Sequence, residues 1–396
     1  MTNTKRLVPE LRFPEFSREW EKRKLKDIAK FQNGKAHEKL VSISGDFVLV
    51  NSKFISTNTQ VKKFVSQQLT PLNKEDIAIV MSDIPNGKAL AKCFLVNENN
   101  KYTLNQRIGR IYDISGDSRF LYAILNRNTQ LLKYDNGVGQ TNLKKSEITH
   151  IVLKCPINAE QKKIGDFFSK LDRQIELEEE KLELLEQQKR GYMQKIFSQE
   201  LRFKDDNGNS YPDWSIKKIE DISKVNKGFT PNTKNDEYWD ELNENWLSIA
   251  GMTQKYLYKG NKGITEKGAS KHVKVDKDTL IMSFKLTLGK LAIVKEPIYT
   301  NEAICHFVWK ESNINTEYMY YYLNSINIST FGAQAVKGVT LNNDSINSII
   351  VKLPVIQEQN KIAYFFNELD KLIRKQYAKI EVLKQRKKGL LQKMFI

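Results

Sequence analysis

The sequence predicts an α+β fold in which two similar domains, each followed by a long helix, lie in tandem. The segment LDRQIELEEEKLELLEQQKRGYMQKIF at residues 171–197 recurs as LDKLIRKQYAKIEVLKQRKKGLLQKMF at residues 369–395. Each copy follows roughly 150 residues in which short β-rich runs are separated by turn-forming pairs such as Asn-Gly. In both copies the hydrophobic residues follow the alternating spacing of four and three that is typical of a coiled coil.

The composition favours a folded protein with a polyanionic partner. The chain has 396 residues, 40% of them hydrophobic, which is enough to fill the cores of about two or three domains. Lys and Arg outnumber Asp and Glu by 64 to 47, giving a net charge of +17 and a pI near 9.4. This excess makes nucleic acid the first candidate partner, with a merely basic soluble protein as the alternative.

The cysteines and the amino terminus indicate an intracellular protein. Cys93, Cys155 and Cys305 are too far apart in sequence for a disulfide framework or a CxxC metal site. The amino terminus lacks the apolar stretch of a signal peptide, and no apolar run approaches the length of a membrane span. We therefore expect a cytoplasmic protein without a membrane partner.

The repeat extends beyond the helix. A shift of 198 positions aligns residues 143–197 with 341–395 without a gap, and about 23 of these 55 pairs are identical. Upstream, LRF at 11–13 corresponds to LRF at 201–203, and Trp20 corresponds to Trp214. Between such anchors the halves differ in length and residue type. The halves therefore share one framework and carry different surfaces.

The elements of each half can be placed in order. The runs FVLV (47–50), DIAIVMS (76–82), WLSIA (246–250) and TLIMSF (279–284) predict strands. Pro156 and Pro354 precede EQKKI and EQNKI, where a proline ends the strand and allows a helix to begin. We expect the domains at 1–157 and 201–355, and the repeated helices at 158–200 and 356–396.

The two helices are predicted to pair with each other as an antiparallel coiled coil. Residues 172–186 contain seven acidic and two basic residues, whereas residues 370–384 contain two acidic and five basic ones. Pairing between the copies therefore sets unlike charges together. The alternative is two amphipathic helices, each buried in its own domain. The predicted pairing residues are Ile164, Phe168, Leu171, Ile175, Leu182, Leu185, Tyr192 and Ile196, with Ile362, Phe366, Leu369, Ile373, Ile380, Leu383, Leu390 and Met394.

Two similar units that pair through the same element do so most naturally about a twofold axis, so we expect a pseudo-twofold symmetric arrangement. The globular parts would then lie at opposite ends of the helix pair. About 33 helical residues span roughly 50 Å, compared with about 34 Å for one turn of B-DNA. The helices could therefore act as a spacer between two DNA-binding domains.

The sequence contains no recognisable catalytic or metal site. It lacks the Asn/Asp-Pro-Pro-aromatic loop and the Gly-rich turn of an adenine methyltransferase, and it lacks a GxxxxGK[ST] phosphate loop. In TLGKLA (287–292), Gly-Lys is followed by Leu, which favours a β-turn. His37, His150, His272 and His306 lie too far apart for the spacing of a zinc site. We expect a non-catalytic protein that binds no cofactor or metal itself.

Candidate DNA contacts lie where the halves diverge and where Gly or Asn opens a loop. Base edges are recognised chiefly by Arg, Lys, Asn and Gln, and phosphates by Lys, Arg and backbone amides. An ordinary solvated loop is the alternative at each position. The first-half candidates are Gly34, Lys35, His37, Asn86, Lys88, Gln140, Asn142, Lys144 and Lys145. The second-half candidates are Lys227, Phe229, Thr230, Asn232, Lys234, Thr253, Gln254, Lys285, Lys290, Lys337, Asn342 and Asn343.

Several motifs occur in the same order in both halves. They are W-x(4)-L/I-x-D-I at 20–28 and 214–222, Asn105-Gln106 or Asn301-Glu302, P-x(3)-EQ-x-K-I at 156–164 and 354–362, and F-F-x-x-L-D at 167–172 and 365–370. With the duplicated architecture, they resemble the specificity subunit of Type I restriction-modification systems over nearly the whole chain. The second half departs from this pattern in its insertion KDDNGNSYPD and in Glu302 replacing Gln.

The resemblance implies a sequence-specific DNA-binding subunit in which each domain recognises one half of a bipartite double-stranded DNA target. It also implies helices that set the spacer and dock two methyltransferase subunits and, for cleavage, two ATP-dependent restriction subunits. S-adenosylmethionine, ATP and Mg would be used by those partners. The alternatives are a non-catalytic coiled-coil scaffold and an orphan subunit that targets modification only.

Overall fold

The computed structural model describes residues 7–84, 87–285, 287–335 and 338–395. The chain forms two compact units, Met1–Glu180 with Ala378–Ile396 and Lys181–Tyr377. Each unit combines one globular part with a portion of both long helices. We call the globular parts head 1 (residues 7–157) and head 2 (residues 198–355).

Head 1 consists of short strands and helices joined by loops. In chain order they are β1 (Glu21–Lys24), α1 (Leu25–Ile28), β2 (Lys30–Asn33), β3 (Phe47–Val50), α2 (Ser52–Ser56), β4 (Phe64–Val65), β5 (Pro71–Leu72), β6 (Ile77–Val80), β7 (Ser82–Asp83), β8 (Cys93–Leu95), β9 (Tyr102–Leu104), β10 (Ile108–Tyr112), α3 (Ser118–Leu125), α4 (Thr129–Leu132), β11 (Thr141–Asn142), α5 (Lys145–Thr149) and β12 (Val152–Cys155). The first long helix, α6 (Asn158–Phe197), follows.

The main sheet of head 1 is antiparallel, with the strand order β2-β10-β6-β8. A second sheet has the order β4-β3-β9-β5, with β3 and β9 parallel. Along β6, Ile77 and Ile79 pack into the core that includes residues of α6, whereas Ala78 and Val80 pack into the core beneath the second sheet. Because side chains alternate between the faces of a strand, this fully apolar run is explained by burial on both sides.

Head 2 repeats this plan with additions. Its elements are β13 (Ser215–Lys218), α7 (Ile219–Ile222), β14 (Ser223–Lys227), β15 (Trp246–Leu247), β16 (Tyr256–Leu257), α8 (Glu266–Ala269), β17 (Leu280–Ser283), β18 (Leu291–Val294), β19 (Tyr299–Thr300), β20 (Ile304–Trp309), α9 (Thr316–Ser325), β21 (Ala333–Ala335), β22 (Gly338–Thr340), α10 (Asn343–Asn347) and β23 (Ile350–Leu353). The second long helix, α11 (Ile356–Met394), follows.

The main sheet of head 2 has the order β14-β20-β17-β18-β16. The first four strands correspond to those of head 1, and β16 adds a fifth strand parallel to β18. Along β17, Leu280 and Met282 pack into the core that includes residues of α6 and α11, and Ile281 packs into a separate core on the other face. The predicted runs DIAIVMS and TLIMSF therefore contain the equivalent main-sheet strands β6 and β17, and FVLV is β3 of the second sheet of head 1. In WLSIA only Trp246–Leu247 form a strand, β15, which pairs with β19 outside the main sheet, and Ile249–Gly251 form a 3-10 helix.

The EQ motif at the start of each long helix joins the helix to its head. The Glu160 carboxylate is fully buried and accepts two hydrogen bonds from the Arg12 guanidinium at 2.7 Å and one from the Trp20 indole at 3.3 Å. Gln161 donates to the carbonyl of Pro156 at 2.9 Å and accepts from the amide of Asp117. Head 2 repeats these contacts with Arg202, Trp214, Glu358, Gln359, Pro354 and Asn315. The shared motifs are therefore explained by packing within the framework.

Within each unit the long helices pack against each other in antiparallel orientation. In the first unit Asp172 pairs with Lys387, Glu178 with Lys379, and Glu179 with Lys384 at 2.7 Å. Because partners later in α6 lie earlier in α11, the helices run in opposite directions. The predicted antiparallel pairing of the acidic helix with the basic one is confirmed.

The second unit contains its own contacts between the helices. Lys189 pairs with Asp370 at 2.6 Å, and Tyr192 packs edge-on against Phe365 with ring centroids 5.1 Å apart. A shift of 198 positions converts this ion pair into the pair between Asp172 and Lys387 of the first unit. The equivalent lysines Lys189 and Lys387 are therefore partners of the two repeated aspartates.

The predicted pairing residues fall into three groups. Leu171, Ile175, Leu383 and Leu390 form a cluster between the helices. Ile164, Phe168 and Met394 belong to the core of head 1, and Ile196, Ile362, Phe366 and Leu369 belong to that of head 2 or pack against it. Ile380 is buried, Leu182, Leu185 and Ile373 are half-buried, and Tyr192 is 38% exposed. The apolar stripe therefore serves helix pairing at its centre and head packing at its ends.

Candidate DNA interface

Most head 1 candidates lie at one edge of its main sheet. In the antiparallel order β2-β10-β6-β8, Asn33 at the end of β2 and Val80 at the end of β6 both lie beside the start of β10. The described residues of the segments 34–37, 81–92 and 104–107 therefore meet at the same edge. Strand β11 pairs with β7 and adds residues 138–145 to it. We call these four segments the loop edge of head 1.

Gly34 allows two segments of the loop edge to approach closely. Its amide donates to the carbonyl of Ile108 at 3.0 Å, and a Cβ built on it would lie 2.0 Å from the carbonyl oxygen of Asn105. Gly228 occupies the same position in head 2, where a Cβ would lie 2.1 Å from the carbonyl oxygen of Thr300. Both glycines are therefore required by backbone packing.

His37 is a correction to the candidate set. Its side chain is fully buried; Nδ1 donates to the carbonyl of Lys35 at 2.7 Å, and Nε2 accepts from the amide of Leu69 at 3.2 Å. Both ring nitrogens are therefore engaged inside the head, and the ring is not available to a base. His37 supports the segment that carries the exposed Lys35.

The other described head 1 candidates are exposed. They are Lys88, Gln140, Asn142, Lys144 and Lys145, and Gln140 donates to the Ser82 hydroxyl at 2.7 Å. The Asp83 carboxylate accepts from the amides of Ala89 and Leu90 and so folds the loop that carries Lys88. Asn86 in head 1 and Lys337 in head 2 lie outside the described residues.

The head 2 candidates converge in the same way. The ends of β14 and β17 lie beside the start of β20, and the starts of β18 and of the parallel β16 lie at the same edge. The loop edge of head 2 therefore contains the described residues of the segments 228–234, 253–254, 284–290 and 301–303. The amide of Leu341 bonds to the carbonyl of Phe284 and brings Asn342 and Asn343 near this edge.

The head 2 lysines surround an aromatic ring at this edge. The Lys227 ammonium lies 4.6 Å from the centroid of Phe284, and that of Lys285 lies 5.7 Å from it. Phe284 itself is buried. Lys290 is half-buried, and its ammonium lies 3.5 Å from the carbonyl of Ile249. Lys227 and Lys285 are therefore held beside the same ring, and with Lys290 they give the edge a positive charge.

Three further head 2 candidates already have structural partners. The Phe229 ring stacks on His272 at 3.5 Å between centroids, so a protein ring covers one of its faces. Thr230 accepts from the Asn301 amide at 2.8 Å. The Asn342 side chain caps α10 by accepting from the amide of Ser345. Asn232, Lys234, Thr253, Gln254 and Asn343 are exposed.

Two exposed residues of the head 1 loop edge are absent from the predicted set. Gln106 and Arg107 lie between β9 and β10, and the carbonyl of Arg107 accepts from the amide of Met81. Arg107 has a positive φ of 66°, which turns the chain at the edge. The sequence does contain a signal for Arg107. Arginine is a frequent base-contacting residue, and the halves differ here because the counterpart of Arg107 in head 2 is Ala303.

All three cysteines are buried thiols. Burial raises the pKa of the Cys155 thiol to about 11 and that of Cys305 to about 12, so both stay protonated near neutral pH. Within the described part of the chain, no group of three or more His, Cys, Asp or Glu side chains could hold a metal ion. In the same described ranges, no helix has the length and apolar character needed to cross a membrane.

Comparison with known proteins gives a consistent family. The family model described as "Type I restriction modification DNA specificity domain" matches residues 17–187 and again 211–385. The MjaIX specificity subunit of Methanocaldococcus jannaschii is 30% identical over 50% of this chain and 48% of its own length, about half of that relative. The MjaVIII specificity subunit of the same organism is 21% identical over 96% of this chain and 93% of its own.

Solved structures share the fold. The Type I restriction-modification S subunit from M. genitalium aligns with a TM-score of 0.62 at 15% identity, covering 98% of this chain and 99% of that one. A chain from a study of complex assembly and conformational transition of the type I R-M system aligns with a TM-score of 0.57 at 14% identity, covering 95% and 97%. With two matched domains and two paired long helices, the chain belongs to the Type I restriction-modification specificity family and is a DNA specificity subunit, the non-catalytic member of such a system.

Proposed function

We propose that each head recognises one half of a bipartite DNA target through its loop edge. The observation that carries this proposal is that equivalent sheet edges of the two heads gather exposed Lys, Asn and Gln side chains, although the loops themselves differ. Side chains of this kind recognise base edges and neutralise phosphates. Lys35, Lys88 and Lys144 are proposed contacts in head 1, and Lys227 and Gln254 in head 2. The segment boundaries 1–157, 158–200, 201–355 and 356–396 are part of this proposal.

We further propose that the long helices set the length of the unspecified spacer. The helices are continuous from Asn158 to Phe197 and from Ile356 to Met394. At 1.5 Å per residue, four added residues move a head by roughly 6 Å, which is close to two base-pair steps of about 3.4 Å each.

The helices also carry a surface suited to a partner that is present in two copies. From 183 to 195, five exposed α6 positions have identical counterparts in α11. We call them the repeated helix face: Glu183, Gln187, Gly191, Gln194 and Lys195, with Glu381, Gln385, Gly389, Gln392 and Lys393. From 166 to 180, no exposed α6 position has an identical counterpart. Exposure to solvent alone does not explain why exposed residues are repeated in the first range and not in the second.

Gly191 and Gly389 strengthen that interpretation. A Cβ built on either one would meet nothing within 4 Å, so the fold itself does not require a glycine there. Glycine inside a helix costs roughly 0.5–1 kcal/mol relative to alanine, and it lets a neighbouring backbone approach closely. In the second unit this face borders a cavity of about 500 Å³ lined by Arg190, Gln194 and Lys352. We propose that one methyltransferase subunit docks on each copy of the face.

In the resulting complex, S-adenosylmethionine would be used by the methyltransferase subunits. ATP and Mg would be used by two restriction subunits when DNA is cleaved. A complex with the methyltransferase alone would methylate the target without cleaving it.

The test is a genome-wide map of methylated adenines in cells that express the chain with its methyltransferase. Exchanging head 1 for that of a relative should change one half-site and leave the other unchanged. Adding four residues after Glu180 and after Ala378 should change the spacer and leave both half-sites unchanged. A folded, active lengthened variant with an unaltered spacer would remove the spacer role and leave the helices as docking surfaces.

A further inference from the structure

A short segment at the loop edge of head 2 is held from both sides. Met252 is 1% exposed and belongs to the core between the head 2 sheets. Thr253 and Gln254 follow with exposed side chains, and the Lys255 side chain is only 7% exposed. The two exposed residues therefore lie between two buried ones, immediately before β16. We call residues 252–255 the edge segment.

Lys255 reaches away from the loop edge into the framework. Its ammonium forms an ion pair with Glu317 of α9 and donates to the hydroxyl of Tyr321 at 2.9 Å and to the side-chain oxygen of Asn367 of α11 at 2.5 Å. It also lies 4.1 Å from the ring centroid of Tyr321 and 4.9 Å from that of Tyr320. A residue of the divergent region is therefore bound directly to the paired helices.

This contact is poorly suited to general stabilisation. Burial lowers the pKa of Lys255 despite the opposing effect of Glu317, which shows that desolvation of the ammonium outweighs the attraction. The sheet is already attached to the helices by a large apolar core. Buried ion pairs often add little stability compared with apolar side chains of similar size, whereas their hydrogen-bond geometry can favour one arrangement.

Head 1 has different residues at the corresponding positions. Arg119 stands where head 2 has Glu317, and Ala123 stands where it has Tyr321. Arg119 pairs with Asp117 at 2.7 Å and also with Asp166 of α6. In the described residues of head 1, the main sheet ends at β8 without a counterpart of β16.

We propose that Lys255 is a positioning residue for DNA recognition by head 2, fixing the edge segment that carries Thr253 and Gln254 against α9 and α11. The proposal rests on the proposed function, because it takes these two side chains to face DNA. Base specificity at that segment then depends on a buried ion pair outside the DNA interface.

The test replaces the ion pair by apolar side chains in the double variant K255M/E317M, so that no unpaired charge is left inside. Its methylated motif should relax at the same base pairs that the double variant T253A/Q254A relaxes, with a roughly tenfold loss of discrimination there. The half-site of head 1 and the spacer should not change. The matched control K259M/E244M removes an exposed ion pair of head 2 that does not involve the helices, and it should leave the motif intact.

A second measurement does not depend on DNA. The amides of Ile293 and Lys295 each donate to a carbonyl of Lys255 or Leu257 at 2.7 Å, so their hydrogen exchange reports the attachment of β16. In K255M/E317M they should exchange roughly tenfold faster, because local opening costs less. Amides that join β17 to β20 should keep their rates, which would show that the head is still folded.

The outcomes separate the two proposals. Unchanged exchange at Ile293 and Lys295 overturns the positioning role, whatever the motif does. Faster exchange with an unchanged motif also overturns it, provided that T253A/Q254A does alter the motif. If T253A/Q254A leaves the motif unchanged, the DNA contact proposed for Thr253 and Gln254 fails, and faster exchange would still support Lys255 as the residue that fixes the segment.

Discussion

Head 1 and head 2 agree closely where they join the long helices and differ at their loop edges. In both, a tryptophan and an arginine bind the buried glutamate of the EQ motif. In both, a glycine, Gly34 or Gly228, also packs against the segment that precedes the central strand, which is β10 in head 1 and β20 in head 2. Beyond these points the loops differ in length, and only the described part of head 2 has a fifth strand in the main sheet. The two halves therefore share their internal contacts, whereas their surface loops differ.

The equivalent central strands show how far the difference extends. Arg110 in β10 and His306 in β20 occupy matching positions. Arg110 forms an ion pair with Asp76 at 2.6 Å, whereas the His306 ring bonds to the Thr300 hydroxyl at 2.5 Å. The same sheet position thus holds a charged pair in one head and a neutral histidine in the other. The two heads can consequently differ in their response to pH.

The largest expected effect concerns the shared framework. Arg12→Ala leaves the buried Glu160 without its cation, and Arg202→Ala does the same to Glu358. Removing one partner of a buried ion pair costs about 3–5 kcal/mol, so each variant should lose that much stability in its own unit. Hydrogen exchange of the amides in β10 of head 1 and in β20 of head 2 measures this loss of stability.

Arg18→Ala is the control for these variants. Its side chain is 72% exposed and lies 3.7 Å from Glu21, an arrangement expected to contribute less than about 1 kcal/mol. Equal large losses in R12A and R202A, with little loss in R18A, would show that both copies depend on the same contact. A large loss in only one copy would contradict the equivalence of the two heads.

Acidification should act in opposite directions through His306 of head 2 and Asp76 of head 1. Burial lowers the pKa of His306 to about 4, from about 6.5 in an unfolded chain. The folded state therefore binds fewer protons between these values, and head 2 should lose about 3 kcal/mol as the pH falls from about 6.5 to 4. Burial raises the pKa of Asp76 in head 1, so protonation of that carboxyl favours the folded state.

Hydrogen exchange corrected for the intrinsic effect of pH measures both responses. His306→Gln should remove the loss in head 2, because the amide can still bond to Thr300 and does not titrate. A loss of the same size in H306Q would show that another group is responsible.

The repeated ion pairs between the helices should contribute less. Lys189→Glu places like charges beside Asp370, and Lys387→Glu places them beside Asp172. Each change should cost about 1–3 kcal/mol because the pairs are only partly buried. The cost should be greater at Lys189, since Asp370 also accepts from the hydroxyl of Tyr321 at 2.6 Å.

Charge exchange within one pair provides the check. K189D/D370K should recover most of the stability lost in K189E, as measured by chemical denaturation. No recovery would mean that the side chains, rather than their charges, determine the packing at this position.

The framework was predictable from sequence because it is repetitive. The match at a shift of 198 positions predicted two equivalent helices. The opposite net charges of residues 172–186 and 370–384 predicted that these helices pair with each other. Gly34 belongs to the candidate set because of its divergent surroundings, but its role, like that of Gly228, is a close backbone approach that only the sheet register shows. The convergence of distant loops on one edge likewise follows from strand order, which the sequence does not state.

Side-chain direction was the part that the sequence left open. His37 lies in a polar loop, yet its ring is buried by contacts with residues 32 and 66 positions away. Phe229 is stacked on His272, which is separated from it by 43 positions of unrelated sequence. No local pattern encodes such pairs. Lys255 was missed for the same reason, because a lysine in a polar loop is usually solvated.

A smaller effect is expected for single phosphate contacts. Lys144 and Lys145 are exposed beside α5 at the loop edge of head 1. If both neutralise phosphates, K144A/K145A should lower the slope of log affinity against log salt by about 1.8, at about 0.9 per contact. The methylated motif should stay unchanged, and Lys133 and Lys154, which lie outside the loop edge, serve as controls when changed to Ala. An unchanged slope would remove these two lysines from the interface.

The smallest expected change in stability is also an increase. Gly191→Ala and Gly389→Ala each add a Cβ that contacts nothing in the chain, so each should stabilise its helix by roughly 0.5–1 kcal/mol. The same Cβ would lie within the proposed docking surface and should weaken binding of the methyltransferase subunit. Gly139 is an open glycine outside both helices, and G139A should leave that binding unchanged.

Because the repeated helix face occurs once in α6 and once in α11, each single variant should lose one of two bound subunits, and the double variant should lose both, as measured by the mass of the assembled complex. Full occupancy in the more stable double variant would show that the glycines are retained for another reason.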